Sequence, residues 1–418
     1  MARFQLVAPA GRPTFLDLPW ETPLAEWESP RLVNLIRGIS RHVVRFVDYE
    51  GSLFALKELP ERPARREYEL LRRLARQGLP VVEAVGLVTA RDGELDAILV
   101  TRHLDYSLPY RALFAGHAIP DLRTHLMNAF AELLARLHLA GFFWGDCSLS
   151  NALFRRDAGA LSAYLVDAET GEWQAELTEG QRRYDLDIAR VNVVGELLDV
   201  DAEVGLPEDV DPDATGDEVV ERYESLWSEL TREETFGPDE RFRVTERLER
   251  LNDLGFDVDE IRLEAAPEGY KLMLDPHVVE PGHHRHRLLR LTGLDAQENQ
   301  ARRMLNDIAR FREAAERRAG RPIAESVAAA RWRDEVFEPA VAAVPEELWA
   351  RLPPAEVFHQ VLEHRWFLSE RAGKDIGIDE AVRSYVESEL PRKPSERIVL
   401  EPPAPEGDVV SDSAEGGV

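Results

Sequence analysis

Residues 144–169, WGDCSLSNALFRRDAGALSAYLVDAE, carry the polar side chains that best predict the fold of this 418-residue chain. Asp146 and Asn151 are separated by four residues and follow an amphipathic stretch that predicts a helix over about 121–140. After the turn RRDAGA, the strand-like AYLVD ends at Asp167. Two carboxylates and an amide in loops beside regular elements favour a metal or phosphate site, although local capping of a turn is an alternative for the first two.

A single lysine, Lys57, stands out upstream in the strand-like sequence FALKEL. Of 51 basic residues only four are lysines, and the first 270 residues use arginine at every other basic position. A compact ammonium group is therefore indicated where a cation must reach a phosphate. The following helix carries Glu67 and Glu69. Two positions along a helix differ by about 200°, so only one of them can face Lys57, and we predict Glu67.

These residues meet the requirements of phosphoryl transfer, in which most of the catalysis is positioning and charge neutralisation. The order of the residues predicts the roles. We expect Lys57 to hold the α- and β-phosphates, Glu67 to orient Lys57, and Asp146 to accept the proton of an acceptor hydroxyl. Asn151 and Asp167 are expected to bind Mg²⁺, which prefers oxygen ligands.

In this order of residues the chain resembles the protein-kinase-like superfamily over about residues 32–200, and within it the lipopolysaccharide kinase (Kdo/heptose kinase) group and small-molecule phosphotransferases. The resemblance implies a two-lobed α+β fold, with a small β-rich N-lobe and a helical C-lobe. It implies ATP and Mg²⁺ as cofactors, with Thr101 and His103 among the nucleotide contacts. The C-terminal half resembles an uncharacterised domain that accompanies this kinase module in a bacterial family of unknown function.

The chain departs from the kinase pattern at several positions. In place of a G-x-G-x-x-G loop it has RGISRH, so Gly38 and Ser40 are expected to approach the phosphates. Trp144 replaces the histidine of H-x-D, and Ser148 stands where protein kinases carry a lysine. The D-F-G motif is Asp167-Ala168-Glu169, in which Glu169 either binds a second Mg²⁺ or pairs with an arginine.

The sequence after the metal motif bears on the acceptor. No A-P-E segment follows, so we expect a sugar, a glycolipid or another small molecule rather than a protein. In YDLDIARVNVVGELL, Asp187 is expected to brace the catalytic loop through its backbone. The alternative function is a nucleotide-binding pseudokinase that acts as a regulatory scaffold through its C-terminal domain, which could also bind a protein partner.

Composition changes along the chain divide it into five segments. Residues 1–31 are predicted to be irregular, and residues 32–200 to form the kinase-like domain. Residues 201–240, rich in Asp, Glu, Pro and Gly, predict an acidic linker or loop. Residues 241–395 predict a mostly helical domain, and residues 396–418 a disordered tail.

Charge and hydropathy exclude several function classes. The net charge of -27 disfavours binding to nucleic acid or anionic lipid. No stretch of about 18 apolar residues predicts a membrane span, and no apolar h-region near the N-terminus predicts a signal peptide. The single cysteine, Cys147, fits a reducing cytoplasm and is interpreted as a small buried residue.

Two further patterns indicate structural or surface positions rather than a metal site or a binding platform. The sequence HHRH at 283–286 places two histidines in alternation, which suits a strand, and its arginines oppose a metal ion and favour a surface or anion-contacting stretch. Three tryptophans fall in helical patterns and are predicted to lie in the core: Trp332, Trp349 and Trp366.

Overall fold

The computed structural model describes residues 4–8, 13–33, 41–91, 95–115, 122–206, 210–232, 234–236, 243, 246–247, 256–258, 261–266, 269–274, 279–374 and 376–397. A β-rich N-terminal lobe is followed by a helical lobe and then by a mainly helical C-terminal domain. The predicted α+β fold, with a small β-rich N-terminal lobe, a helical lobe and a mainly helical C-terminal domain, is confirmed.

Six antiparallel strands form the N-terminal lobe. They are Gln5–Val7 (β1), Leu32–Val33 (β2), Val43–Tyr49 (β3), Ser52–Leu59 (β4), Glu83–Thr89 (β5) and Ala97–Arg102 (β6). Their spatial order is β1-β5-β6-β4-β3-β2. The central strand β4 therefore lies between β3 and β6, and Lys57 is paired with Val44 on one side and Leu99 on the other.

The two faces of this sheet have different partners, because side chains alternate along a strand. Ala55, Lys57 and Thr101 share one face, as the pairing of Ala55 with Thr101 shows. Apolar side chains from residues 13–27 cover the opposite face, and each is at most 4% exposed: Phe15, Leu18, Trp20, Leu24 and Trp27. The N-terminal segment thus contributes a core of its own.

The helical lobe contains most of the large core. Helix Glu61–Arg76 (α1) follows β4, and the helices of the helical lobe are Tyr110–Ala115 (α2), Leu122–Leu139 (α3), Glu179–Val204 (α4) and Pro212–Thr231 (α5). Its short strands are Phe142–Phe143 (β7), Ala152–Asp157 (β8), Ala160–Leu165 (β9) and Glu172–Trp173 (β10). Helix α1 packs against β5 and β6, while α3 packs against α5 and β9. The helix predicted over about 121–140 is therefore present as α3, at the centre of the lobe.

The predicted linker over 201–240 is wrong for most of its described residues, because α5 occupies 212–231. Asp211 caps this helix by accepting a hydrogen bond from Ala214 N at 2.7 Å, and a proline follows at the first helical position. Val219, Tyr223 and Leu230 are at most 2% exposed and belong to the main core. The acidic residues lie between these apolar positions, so the overall composition concealed a helix.

The C-terminal domain has a second, separate apolar core. Its helices are His283–Thr292 (α6), Glu298–Ala319 (α7), Glu325–Trp332 (α8), Glu338–Ala342 (α9), Pro354–Ala372 (α10) and Ile378–Ser388 (α11). Among the described residues, five short strands precede them: Glu234–Phe236 (β11), Phe256–Val258 (β12), Ile261–Ala266 (β13), Gly269–Leu274 (β14) and Val279–Pro281 (β15). The helical prediction therefore holds after residue 282, and it missed the strands before it.

Several local predictions in this domain need correction. The histidine cluster at 283–286 begins helix α6 rather than forming a strand, and Glu298 accepts hydrogen bonds from the first-turn amides of His284 and Arg285 at 2.9 and 3.1 Å. Trp332 is fully buried, as predicted. The other two tryptophans are 53% and 59% exposed, because each lies on an outward-facing position: Trp349 and Trp366.

The described helices include none with the length and apolarity that a membrane crossing requires.

Candidate active site

The Lys57 ammonium group lies among three carboxylates. Its Nζ atom donates hydrogen bonds to Asp167 Oδ2 at 2.7 Å, to Glu67 Oε2 at 3.0 Å and to Glu169 Oε2 at 3.2 Å. These groups come from β4, from α1 and from the segment after β9. The Lys57 side chain is 13% exposed, so the cation is turned into the cleft rather than into bulk solvent.

Helix α1 presents Glu67, and not Glu69, to Lys57. Glu67 is 1% exposed whereas Glu69 lies on the exposed face, as the predicted helical register requires. Burial, followed by the charge of Asp167, raises the pKa of Glu67 to about 8, although Lys57 opposes this change. Burial lowers the pKa of Lys57, but the charges of Glu67 and Asp167 outweigh it and raise that pKa, so Lys57 stays an ammonium ion.

The predicted catalytic loop brings Asp146 and Asn151 into contact. Asn151 Nδ2 donates to the Asp146 backbone oxygen at 3.1 Å and to its Oδ2 atom at 3.2 Å. Because the amide nitrogen is used on Asp146, the amide oxygen of Asn151 is the atom suited to a cation. Val166 N donates to Asn151 O at 3.0 Å, which places Asn151 beside the segment that carries Asp167.

The residue that braces this loop is Asp185, and the prediction of Asp187 is wrong. Asp185 is fully buried at the start of α4, and its carboxylate accepts hydrogen bonds from Trp144 N at 2.7 Å and Gly145 N at 2.8 Å. Asp187 is exposed, because a residue two positions further along a helix is turned by about 200° and so points away from the loop. Gly145 has φ of +78°, and a Cβ there would lie 3.3 Å from Thr170 O, so glycine is needed.

Helix α4 holds the rest of the loop with two polar residues that sequence reasoning missed. Asn192 Nδ2 donates to Cys147 O at 3.0 Å. Glu196 accepts from the backbone amides of Leu149 and Ser150 at 2.8 and 2.9 Å. Positions 185, 192 and 196 share one face of a helix. Polar residues at that spacing on an otherwise apolar face were the available signal.

The departures from the kinase pattern have structural roles. The Trp144 indole is fully buried, and its Nε1–H donates to Asp167 O at 3.1 Å, which ties the catalytic loop to the metal motif. Ser148 Oγ accepts from Asn151 N at 3.2 Å and so shapes the turn. Cys147 is fully buried, as interpreted from the sequence, and burial raises the pKa of its thiol.

Two residues immediately before β3 reach the site from the N-terminal lobe. Neither was predicted to be a site residue. Arg41 Nη2 donates to Asp146 Oδ2 at 3.4 Å, and its side chain is 81% exposed. His42 Nε2 is hydrogen-bonded to Glu169 Oε2 at 2.9 Å. Glu169 thus pairs with a histidine and a lysine, whereas an arginine partner was one of its two predicted roles and a second Mg²⁺ the other. The predicted phosphate contacts Gly38 and Ser40 lie outside the described residues.

The predicted nucleotide contacts Thr101 and His103 lie at the end of β6. Thr101 shares the sheet face of Lys57, two positions along the paired strand. His103 N donates to Leu53 O at 2.9 Å, and its ring meets the Phe46 ring edge-to-face with centroids 5.8 Å apart. Burial lowers the pKa of His103. These groups lie where the chain leaves β6 toward helix α2, and His103 lies beside the aromatic ring of Phe46.

The donor set in this cleft fits a hard divalent cation. Carboxylate oxygens of Glu67, Asp167 and Glu169 lie within 4.8 Å of one another. Asp167 and Glu169 are 30% and 26% exposed, so their oxygens face the cleft while Glu67 is enclosed. Carboxylate oxygens are ligands that Mg²⁺ prefers, and the amide oxygen of Asn151 is of the same hard-oxygen type.

Comparisons with known proteins match the two parts of the chain separately. Residues 50–192 match the lipopolysaccharide kinase (Kdo/WaaP) family, and residues 225–390 match a domain of unknown function, DUF4032. Both resemblances predicted from the sequence are confirmed. A solved structure described as WaaP in complex with acyl carrier protein is similar over 52% of this chain and 87% of that chain, at 17% identity and a TM-score of 0.34. No curated protein matches the chain significantly. The family matches support a kinase-like phosphotransferase.

Proposed function

We propose that residues 43–204 catalyse ATP- and Mg²⁺-dependent phosphoryl transfer to a hydroxyl group. The observation that carries this proposal is the position of Lys57 Nζ, within 3.2 Å of Glu67, Asp167 and Glu169. A lysine that only needed to stabilise the fold would not require three carboxylates, two of them partly exposed to a cleft. Phosphoryl transfer needs a cation for the nucleotide phosphates next to a set of oxygens that can bind a metal ion.

Each residue has a defined task in this proposal. Lys57 holds the α- and β-phosphates, and Glu67 keeps its ammonium group oriented. Asp146, fixed by Asn151, accepts the proton of the attacking hydroxyl. Asn151 and Asp167, with Glu169 as a further ligand, would hold Mg²⁺, and the ion would supply positive charge to offset that of the phosphates.

The adenine end of the nucleotide is assigned to the lobe junction. Thr101 and His103 are proposed to contact the nucleotide there. Because the loop that carries Asp146 is braced by α4 through backbone hydrogen bonds, the reacting groups are positioned before the substrates arrive, which is the main source of rate in such enzymes.

The acceptor is a sugar, a glycolipid or another small molecule. Only residues 168–178 separate Asp167 from α4, and within them β10 pairs with β7. So short a connection leaves no platform on which an extended peptide could lie. A small acceptor hydroxyl needs only the open side of Asp146, which is 36% exposed.

The test is the Asp146→Ala variant, assayed for ATP consumption with Mg²⁺ over a panel of sugars, glycolipids and small alcohols. We expect transfer to fall at least about 100-fold while the nucleotide-induced thermal shift is retained, because a proton acceptor contributes roughly 10²–10⁴-fold. Asp187→Ala, an exposed carboxylate on α4, is the matched control. Unchanged turnover in Asp146→Ala would rule out the assignment.

A nucleotide-binding scaffold without transfer activity is the second candidate. The observation that favours it is Arg41, whose guanidinium donates to the Asp146 carboxylate and occupies the proposed proton acceptor. A nucleotide-induced thermal shift without ATP consumption, in both the wild type and Arg41→Ala, would support this candidate. Turnover in either protein would exclude it.

A further inference from the structure

The hairpin β8–β9 joins the two proposed metal ligands. Strand β8 begins at Ala152, next to Asn151, and β9 ends at Leu165, two residues before Asp167. The strands are paired in register along their whole length, and Val166 N closes the base on Asn151 O at 3.0 Å. Six strand residues span about 20 Å, so a displacement of the tip is transmitted to the base.

The tip of this hairpin caps a helix of the C-terminal domain. The Asp157 carboxylate accepts hydrogen bonds from the backbone amides of Asn299 at 3.1 Å and Gln300 at 2.8 Å. These are first-turn amides of α7, which have no partner within their own helix. Asp157 is 1% exposed. A carboxylate is favoured at the N-terminus of a helix. The contact therefore fixes the direction and the distance of the hairpin tip relative to α7.

The turn itself is held by a second helix. Ala158 has a positive φ of 52°, a left-handed conformation that costs a non-glycine residue about 1 kcal/mol. Its backbone amide donates to Glu356 Oε2 of α10 at 3.0 Å. The C-terminal domain thus supplies the acceptor for a strained residue at the tip, which persists because its surroundings fix it.

Gln300 links these two anchors. Its Nε2 atom donates to Glu356 Oε2 at 2.8 Å and to Arg156 O at 3.1 Å. Gln300 and Glu356 are 1% and 2% exposed. Apolar side chains would hold two domains together at least as well, since buried charges lose their hydration. A buried polar network instead specifies one geometry, and here that geometry is the position of the hairpin.

We propose that the C-terminal helical domain is a positioning element for phosphoryl transfer: it clamps the tip of the β8–β9 hairpin through Asp157 and Glu356 and thereby fixes Asn151 and Asp167 at its base. This inference rests on the proposed function for its catalytic part, but the clamp itself is a property of the fold. Asp157 and Glu356 are positioning residues, since they contact neither nucleotide nor acceptor.

The test compares Glu356→Ala, Glu356→Gln and Glu363→Ala in the full chain. The glutamine can still accept from Ala158 N, so it should restore the clamp. Glu363 lies on the same helix, is 46% exposed and serves as the control. Hydrogen–deuterium exchange is measured over residues 152–166. Mg²⁺ affinity is measured by titration in the presence of a non-hydrolysable ATP analogue, together with kcat and KM for ATP.

We expect Glu356→Ala to speed exchange over the hairpin, including the Val166 amide, and to weaken Mg²⁺ binding about tenfold, the lower range for groups that orient metal ligands. Affinity for the analogue without Mg²⁺ should not change, and Glu356→Gln should resemble the wild type. If Glu356→Ala does not fold, Gln300→Ala takes its place in the same comparison.

Unchanged exchange, or faster exchange with unaltered Mg²⁺ affinity, would overturn the clamp. A wild type that binds no Mg²⁺ with the analogue would instead contradict the proposed function. In that case, faster exchange at Val166 in Glu356→Ala would still support the clamp, and unchanged exchange there would refute it.

Discussion

Lys57 is closer to Asp167 than to Glu67, at 2.7 Å against 3.0 Å. The lysine therefore links the sheet directly to the metal motif as well as to α1. Replacing it with methionine leaves the buried Glu67 without its cation, which is expected to destabilise the fold by about 3 kcal/mol, since removal of one partner of a buried pair is strongly destabilising. Turnover should be lost.

The informative comparison for this variant is Lys57→Arg. Arginine keeps the charge, but its planar, larger head cannot occupy a point about 3 Å from three carboxylates without displacing them. We expect Lys57→Arg to recover most of the unfolding free energy in urea denaturation and little of the turnover. Recovery of full turnover would show that only the charge matters at position 57.

Glu67 and Glu69 form a matched pair on α1. Glu67→Gln replaces the carboxyl group that accepts a hydrogen bond from the Lys57 ammonium, and we expect turnover to fall about tenfold or more, since a hydrogen bond to a charged group is worth roughly 1.5–3 kcal/mol. Glu69→Gln should leave turnover and stability unchanged because the side chain is exposed. Steady-state kinetics on both variants tests this prediction. Equal losses of turnover in the two variants would refute the assignment of Glu67 as the partner of Lys57.

Asp185 and Asp187 provide a second matched pair. Asp185→Asn turns an amide group toward the donors Trp144 N and Gly145 N, and leaving a buried donor unsatisfied costs about 1–3 kcal/mol. We expect lower thermal stability and lower kcat, with a smaller change in KM for ATP. Asp187→Asn should change the unfolding free energy by less than about 0.5 kcal/mol. If Asp187→Asn instead lowered stability and kcat more than Asp185→Asn, Asp187 would be the residue that braces the loop, as predicted from the sequence.

His138 predicts acid sensitivity. Its side chain is fully buried, with Nε2 hydrogen-bonded to Asp185 Oδ2 at 3.1 Å and Nδ1 to Tyr223 Oη at 2.8 Å. Burial lowers the pKa of His138 below its ordinary 6.5, although Asp185 opposes this. The folded state thus favours neutral histidine, so stability is full above pH 6.5 and falls as the pH drops below it.

Denaturation between pH 7.5 and 5 measures this effect. His138→Gln should be less stable than the wild type at pH 7.5, and the difference should narrow toward pH 5. His125→Gln, on the same helix, is the control. A constant difference across this range would show that His138 does not titrate differently in the folded state.

Short-range rules were sufficient for the parts of the site that lie on regular elements. The strand pattern around Lys57 and the helical register of Glu67 together predicted a contact between residues on neighbouring elements, because alternation and the 3.6-residue repeat determine side-chain direction. Periodicity was not sufficient to choose between Asp185 and Asp187. Both flank the same apolar positions, and only tertiary packing shows which one meets the loop.

Contacts between distant segments left no readable signal. The chain has 78 acidic residues, and nothing local distinguishes Asp157 or Glu356 from the exposed ones. The composition of residues 396–418 predicts a disordered tail, yet Glu396 is 3% exposed and pairs with Arg156. Such pairings depend on where two domains meet, which hydrophobic periodicity does not encode.

The burial of α5 bears on how shorter forms of the protein should be prepared. Truncation near residue 200, where the kinase-like pattern ends, would strip Tyr223 from His138 and uncover apolar surfaces of α3 and α4. Such a fragment is expected to precipitate during recombinant production, because a large newly exposed apolar area drives association. A fragment ending after Arg232 would keep that surface covered.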